Sequence, residues 1–373
     1  MDGAVFSFST QQANALDAVS QWLKFDTVTK PIFRLFGYAG TGKTTIAKYL
    51  AEGLDGDVVY AAFSGKAALT MQMNGCDEAS TIHSLIYTPR RDGAGGATFV
   101  LNHNSTAASA ALIIIDECSM VDDILATDLL SFGTPLLVLG DPAQLPPPGN
   151  GAGYFTKAAP DLMLTEIHRQ AKDNPIIELA TMVRNGIVPA FGKYGSSVIM
   201  RSGDFSPEMI FRADQVLVGT NNTRRDYNTF MRAHVGRRNE LPEPGDTLVC
   251  LRNDYSLGIL NGALFKVLEV EMHRSMAKTL VLKLTSLDSP RDAPIDVAVR
   301  QEFFLGGGDQ LSYNELKNTQ RFDYGNALTV HKAQGSQWPS VLIDDESSAF
   351  REDRHLWLYT AITRASEKVI IGM

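Results

Sequence analysis

Short apolar runs, each closed by a glycine or a polar turn, recur in the first part of the chain: PIFRLFG from residue 31, DVVYAAF from 57, ALIIIDE from 111 and PLLVLGD from 135. Apolar runs without polar alternation predict strands buried on both faces, as in a parallel sheet. Segments of helical period lie between them. In STQQANALDAVSQWL, from residue 9, Ser9 or Thr10 can cap a helix whose Leu16, Val19 and Leu23 share one stripe. A second set of runs begins with QVLVGTNN at 215 and ends with ALTVHKAQG at 327, SVLIDD at 340 and KVIIGM at 368, predicting a second parallel sheet. Within that set, the stretch from 242 alternates and is broken by Pro-Gly, Asn-Asp and Asn-Gly pairs, the pattern of a small antiparallel module inserted into the second α/β unit. The tracts PPPGNGAG at 146 and LPEPG at 241 read as linkers.

Composition narrows this picture only a little. A chain of 373 residues with 44% hydrophobic content is long enough for two or three domains with filled cores. The polar start MDGAVFSFSTQQ has no signal-peptide pattern and no run is long enough to span a bilayer, so a cytoplasmic protein is expected. Cys76, Cys118 and Cys250 stand far apart without a C-x-x-C pair, which points to neither a disulfide framework nor a zinc site. A net charge of −8 does not exclude nucleic acid. Charges farther apart than a Debye length of about 8 Å are screened, so a locally basic groove suffices.

The chemistry lies at the ends of the predicted strands. GYAGTGKTT, directly after the strand at 31 and before a helical segment, fits G-x-x-x-x-G-K-[ST]. In such a loop the backbone from Gly37 through Ala39, Gly40, Thr41 and Gly42 to Lys43, Thr44 and Thr45 curls around phosphates. Lys43 adds a cation at the β and γ positions, and the Thr44 hydroxyl is placed to hold Mg²⁺. In ALIIIDECSM, Asp116 and Glu117 sit at the strand end where open α/β sheets bind ligands. Asp116 is suited to reach the metal, and Glu117 to orient and deprotonate water. VLGDPAQLPP ends another strand with Asp141 and Gln144; Gln144 reads either as a γ-phosphate sensor or as part of a proline-fixed loop.

Taken in order, these stretches resemble the superfamily 1B DNA helicases of the Dda and RecD type. FSTQQANAL resembles the family's glutamine motif, which implies Gln12 as the adenine reader. FSGKAA and STIHSLI resemble its motifs Ia and Ib, implying strand contacts from Ser64, Lys66, Thr81 and His83. LTEIHRQ resembles motif IV with Arg169. LTVHKAQGSQW is similar to motif V, implying Thr329, His331 and Lys332 at nucleic acid and Gly335 at the nucleotide. LYTAITRAS resembles motif VI with Arg364. Gln337 stands where many members carry glutamate, and TNNTRRDYN, after a strand, reads either as bringing Asn221 or Arg224 to nucleic acid or as a helix cap with exposed arginines. The catalytic set so implied is Lys43, Glu117, Gln144, Arg169 and Arg364.

The resemblance implies an α/β fold of two RecA-like P-loop domains with parallel sheets, a β-hairpin inserted in the first and a small β-barrel in the second. The expected boundaries are 1–86 and 111–150 for the first domain, 87–110 for the hairpin, 151–240 and 321–373 for the second domain, and 241–320 for the barrel. RRDGAGGATFVLNH, from 90, supplies the turn and returning strand of that hairpin, with Arg90 and Phe99 expected at a strand-separation junction. The implied activity is ATP- and Mg²⁺-dependent 5′ to 3′ translocation on single-stranded DNA with duplex separation. The implied setting is a monomer in a bacterial cell or phage-infected host, partnered by single-to-double-strand junctions and by replication or recombination proteins. An RNA-directed or protein-displacing motor and a non-catalytic ATP-gated binding module are the alternatives. The full hydrolytic set argues against the last.

Overall fold

The computed structural model describes residues 8–91, 97–147, 153–166, 174–254, 257–288 and 293–373. Helix α1 (Thr10–Phe25) begins at Ser9, whose hydroxyl accepts the Gln12 N–H while the Gln12 side chain accepts the Ser9 N–H. This capping box pairs two donors that a helix start otherwise leaves free. The buried stripe is Ala15, Val19 and Trp22, with the expected Leu16 and Leu23 on its flank. Trp22 turns the helix this way: its indole N–H donates to Lys30 O at 2.6 Å, fixing the ring against the loop that enters the first sheet.

That sheet is built from β1 (Ile32–Gly37), β2 (Val58–Ala62), β3 (Ser80–Thr81), β6 (Leu112–Asp116), β7 (Leu136–Gly140) and β8 (Leu162–Leu164). The helices α2 (Lys43–Glu52), α3 (Gly65–Met73), α4 (Ile82–Ile86) and α5 (Asp123–Leu130) connect its strands. The order is β3-β2-β6-β7-β1-β8, all parallel. Ile113 to Ile115 and Leu136 to Leu139 are fully buried, as expected for central strands covered on both faces. Because β7 lies between β6 and β1, the loops that follow these three strands emerge side by side. β8 carries the first sheet past the boundary expected at residue 150. A three-residue strand pairing only with the edge of β1 leaves too short an apolar run to be read against the preceding proline-glycine tract.

Between α4 and β6 stands the expected hairpin, β4 (Tyr87–Arg91) with β5 (Ala97–Leu101), in register Tyr87 to Leu101 through Arg91 to Ala97. Its turn, 92–96, and the Arg90 side chain lie outside the described residues.

The second half comprises α6 (Pro175–Arg184), β9 (Gly192–Tyr194), β10 (Ser197–Met200), α7 (Pro207–Arg212), β11 (Gln215–Val218) and α8 (Asn221–His234). After an excursion it returns with β17 (Ala327–Thr329), α10 (Val330–Ala333), β18 (Trp338–Asp344), α11 (Arg354–Ile362) and β19 (Ala365–Gly372). Its sheet runs β17-β11-β18-β19-β10-β9 and is parallel except for the β9–β10 pair. The excursion is the predicted antiparallel module: β12 (Thr247–Cys250), β13 (Leu264–Met272), β14 (Thr279–Ser286), β15 (Ile295–Arg300), helix α9 (Tyr313–Leu316) and β16 (Phe322–Tyr324). A backbone bridge between Val299 and Gln320 joins its two edges around a core of Leu248, Phe265, Leu282, Val299 and Phe322. The closing strand reaches residue 324, past the boundary expected at 320, because β16 pairs with β12 through Tyr324.

Candidate nucleotide and nucleic-acid site

Gly40 and Gly42 both take positive φ, near 80°, which lets the loop after β1 coil into the start of α2. A side chain at Gly42 would also strike Gln12, whose Nε2 would lie 2.6 Å from the added carbon. Gln12 is buried and its amide donates to Thr41 O at 3.1 Å, so the glutamine braces the P-loop backbone from α1. Lys43 Nζ donates to Gly37 O at 2.7 Å and Tyr38 O at 3.2 Å, holding the ammonium across the mouth of the loop. Thr45 follows in the first turn of α2.

Asp116, at the end of β6, meets the P-loop directly: its Oδ2 accepts the Thr44 hydroxyl at 2.8 Å and its Oδ1 accepts the Glu117 N–H at 2.8 Å. Hard oxygen donors from a hydroxyl and a carboxylate at this spacing fit a Mg²⁺ ion that completes its shell with phosphate oxygens and water. Glu117 has left-handed backbone, φ 51° and ψ 46°. Burial pushes its carboxyl above the usual carboxylate range; Arg364 and Lys43 pull it down, and Asp116 and Asp141 push it up. Cys118 next to it is fully buried and its thiol is pushed up by the same burial, which fits a packed thiol and not a nucleophile.

From the second domain, Arg364 brings its Nη1 to 3.9 Å from Glu117 Oε1. The guanidinium is buried and fixed by Thr360 O, Ser336 O and the Thr363 hydroxyl, at 3.1, 3.2 and 3.2 Å. The loop after β7 is also shared between the domains. Ala143 and Leu145 belong to the apolar core of the second domain, and Gln144 lies between them, buried, with its Oε1 unpartnered. Tyr359 of α11 reaches across this boundary. Its hydroxyl donates to Asp141 and accepts the Ala39 N–H of the P-loop. The sequence offered no sign of that role, because a tyrosine inside the apolar run LYTAI reads as core. Arg184 of α6 lies 3.5 Å over the Tyr38 ring, beside a cavity of about 260 Å³ lined by Tyr38, Pro142, Ala143, His355 and Tyr359. Arg169 lies outside the described residues.

On the expected strand-binding side, several side chains are already engaged. Ser64 caps α3 by accepting the Ala67 N–H at 3.1 Å. Lys66, expected as a strand contact, is buried and its ammonium is paired at 2.5 Å with Asp288 of the barrel. Thr81 is 1% exposed and its hydroxyl caps α4, so it shapes the turn carrying His83 instead of facing outward. His83 is exposed, its ring 6.3 Å from Phe63 and 5.7 Å from Tyr87; Tyr87 in turn lies 6.4 Å from Phe99 of the hairpin, which is 67% exposed. Gly335, expected at the nucleotide, instead meets α3: a Cβ on it would fall 2.8 Å from Ala67 Cβ and 3.0 Å from Ser64 Oγ, and its carbonyl accepts the Thr70 hydroxyl. Positive φ of 78° makes glycine the fitting residue for that close approach.

Thr329 starts α10, followed by His331 and Lys332; burial lowers both the His331 ring and the Lys332 ammonium, and Arg224 lowers Lys332 further. Asn221 is exposed in the first turn of α8. Arg224 on the same helix, expected either at nucleic acid or exposed beside a helix cap, is buried, paired with Asp323 at 2.7 Å and left with its Nε unpartnered.

A family model for the AAA domain matches residues 8–204, and one for the UvrD-like helicase C-terminal domain matches 324–371. The chain is 34% identical over 362 residues to the ATP-dependent RecD2 DNA helicase of Deinococcus radiodurans, covering 90% of this chain and 46% of that protein. It is 32% identical over 190 residues to the ATP-dependent DNA helicase Dda of Enterobacteria phage T4, covering 47% of this chain and 42% of that one. It thus spans under half the length of these curated relatives. Among solved structures it resembles Bacteroides Pif1 bound to single-stranded DNA, with a TM-score of 0.63, 17% identity and coverage of 99% and 92%. The Candida albicans Pif1 helicase aligns with a TM-score of 0.58, 18% identity and coverage of 99% and 95%. These likenesses show the fold, two RecA-like domains.

Proposed function

The chain belongs to the AAA-domain superfamily 1B helicases of the RecD2 and Dda type, and on that premise we propose that it is an ATP-driven motor that moves on single-stranded DNA and separates duplex strands. One observation carries the reading: Arg364 of the second domain stands 3.9 Å from Glu117 of the first, so the hydrolytic site is assembled across the domain boundary. A site split in this way couples the spacing of the domains to the chemistry between them.

The residues divide the work. The P-loop backbone and Lys43 hold the phosphates, and Thr44 with Asp116 holds Mg²⁺, which when bound neutralises charge on the phosphate oxygens. Glu117 accepts a proton from the attacking water. Arg364 and Gln144 face the charge that builds on the transferred phosphoryl group, with Arg169 assigned the same task by resemblance. Each closure of the domains on ATP shifts the strand-binding turns at His83 and His331 relative to one another. Repetition with polarity gives stepping, for which the family implies 5′ to 3′. The hairpin with Phe99 stands where the moving strand is parted from its complement. The expected setting is the interior of a bacterial cell or phage-infected host, acting as a monomer.

The deciding experiment pairs ATPase rates, with and without single-stranded DNA or RNA, with unwinding of duplexes carrying only a 5′ or only a 3′ tail. DNA-stimulated turnover and unwinding from the 5′ tail alone are expected. Hydrolysis that neither polymer stimulates would overturn the motor reading, and stimulation by RNA alone would move the substrate from DNA to RNA.

A further inference from the structure

The loop that carries Gln144 is held at both ends from the second domain. At one end the Tyr359 hydroxyl donates to Asp141 Oδ2 at 2.6 Å and accepts the Ala39 N–H at 3.1 Å. At the other, the neighbouring Thr360 hydroxyl accepts the Leu145 N–H at 2.9 Å, and Gln334 donates to Leu145 O at 3.0 Å. Tyr359 and Asp141 are each 1% exposed. An ionised carboxylate accepts only and a backbone N–H donates only, so a hydroxyl between them has a fixed direction.

We infer that Tyr359 is a positioning residue for hydrolysis: its hydroxyl ties the P-loop at Ala39 to Asp141 and, through the loop to Leu145, sets Gln144 toward the phosphate site. The inference rests on the ATPase reading above. It gives the second domain a mechanical hold on a sensor that the first domain's chain supplies. α11 carries Tyr359 and Thr360, and Arg364, two residues past its end, donates back to Thr360 O, so the helix moves the sensor loop and the arginine together.

Phenylalanine at 359 keeps the ring within the second-domain core and removes only the hydroxyl. Asp141 is then left with the Ala143 N–H, and the charged groups facing it are Lys43, Arg364 and Glu117; Arg184 faces Tyr359 itself. Burial already raises the Asp141 carboxyl, and the tyrosine hydrogen bond is among the contacts that hold it down. Losing that bond moves its titration to higher pH.

The experiment compares the wild-type chain with Tyr359→Phe, Asp141→Asn and the double variant, with ATP and saturating oligo-dT over a pH series. For Tyr359→Phe, kcat is expected to fall about tenfold or more, the scale of a lost hydrogen bond to a buried charge. KM for ATP stays within roughly twofold of wild type, since binding contacts common to ground and transition state are kept. The acidic limb of the kcat profile moves to higher pH, a shift absent when Asp141→Asn is the background, and the two substitutions together cost little more than one. An unchanged kcat and pH profile, a change in KM alone, or fully additive effects would overturn the assignment. A wild-type chain without ATPase activity would overturn the hydrolase reading itself.

Discussion

Glu117 combines strained backbone with a carboxyl that burial holds above its ordinary range. A non-glycine residue in the left-handed region costs about 1–3 kcal/mol and is retained where the surroundings demand that direction. Its raised carboxyl gives a definite sign for stability. A folded-state pKa above the unfolded one means the neutral form is favoured by folding, so the contribution is fully present below the unfolded value, near 4.3, and is lost as pH rises through the folded value. Glu117→Gln is therefore expected to abolish turnover while retaining ATP binding and to melt at a higher temperature than wild type at pH 8. That advantage shrinks as the pH is lowered toward 4, and calorimetry across the range measures it. At this scale Lys43, Thr44, Asp116 and Glu117 were legible because loop glycines and a strand end fix where they point. The burial of Thr81 and Lys66 was not, because their partners lie in other elements.

Among the elements, the hairpin of β4 and β5 exposes Phe99 and Val100 of its second strand. Its root is tied down by the Tyr87 hydroxyl on Asp128 of α5 and by the Asn102 N–H on Ile86 O, at 2.5 and 2.8 Å, while Phe99 projects into solvent. Exposing an aromatic ring on an anchored ribbon suits a surface that bases stack on, a contact worth roughly 1–3 kcal/mol per base. Phe99→Ala is expected to slow unwinding of a forked duplex by about fivefold to a hundredfold on that scale while DNA-stimulated ATPase stays within roughly twofold. Stopped-flow unwinding beside a coupled ATPase assay separates the two. Equal loss in both would place Phe99 in the translocation path instead. The hairpin was visible in sequence as a glycine turn before an alternating run, whereas β8 and the antiparallel β9, three residues each, carry too little pattern to be read.

At the scale of the whole molecule, an ion pair joins the barrel to the first domain. Lys66 of α3 lies against Asp288, whose other oxygen accepts the Leu264 N–H at 2.6 Å, and the same ammonium sits 5.4 Å from the Trp338 ring. A cation so neutralised adds nothing to phosphate binding while the pair stands. Asp288→Asn is expected to release it, so that single-stranded DNA binding tightens at low salt. The slope of log affinity against log salt then steepens by about 0.7, one more phosphate neutralised. Fluorescence anisotropy with a labelled oligo-dT over a salt series reads this directly, and an unchanged slope would show that Lys66 never reaches the strand. No local pattern announces this contact: its two partners are far apart in the chain and meet only because the barrel folds back on α3.

The order of strands in the second sheet governs how the chain comes alive during synthesis. Every strand of the first sheet precedes residue 165, whereas β19 lies inside the second sheet between β18 and β10. Domains emerge from the ribosome in sequence order, at about 5–20 residues per second, and fold as units. The phosphate-binding half therefore takes shape while the codons for Tyr359 and Arg364 are still untranslated. The nascent polypeptide then holds the P-loop without the arginine proposed to act on it, and the two meet only after the strands of the second sheet have been translated.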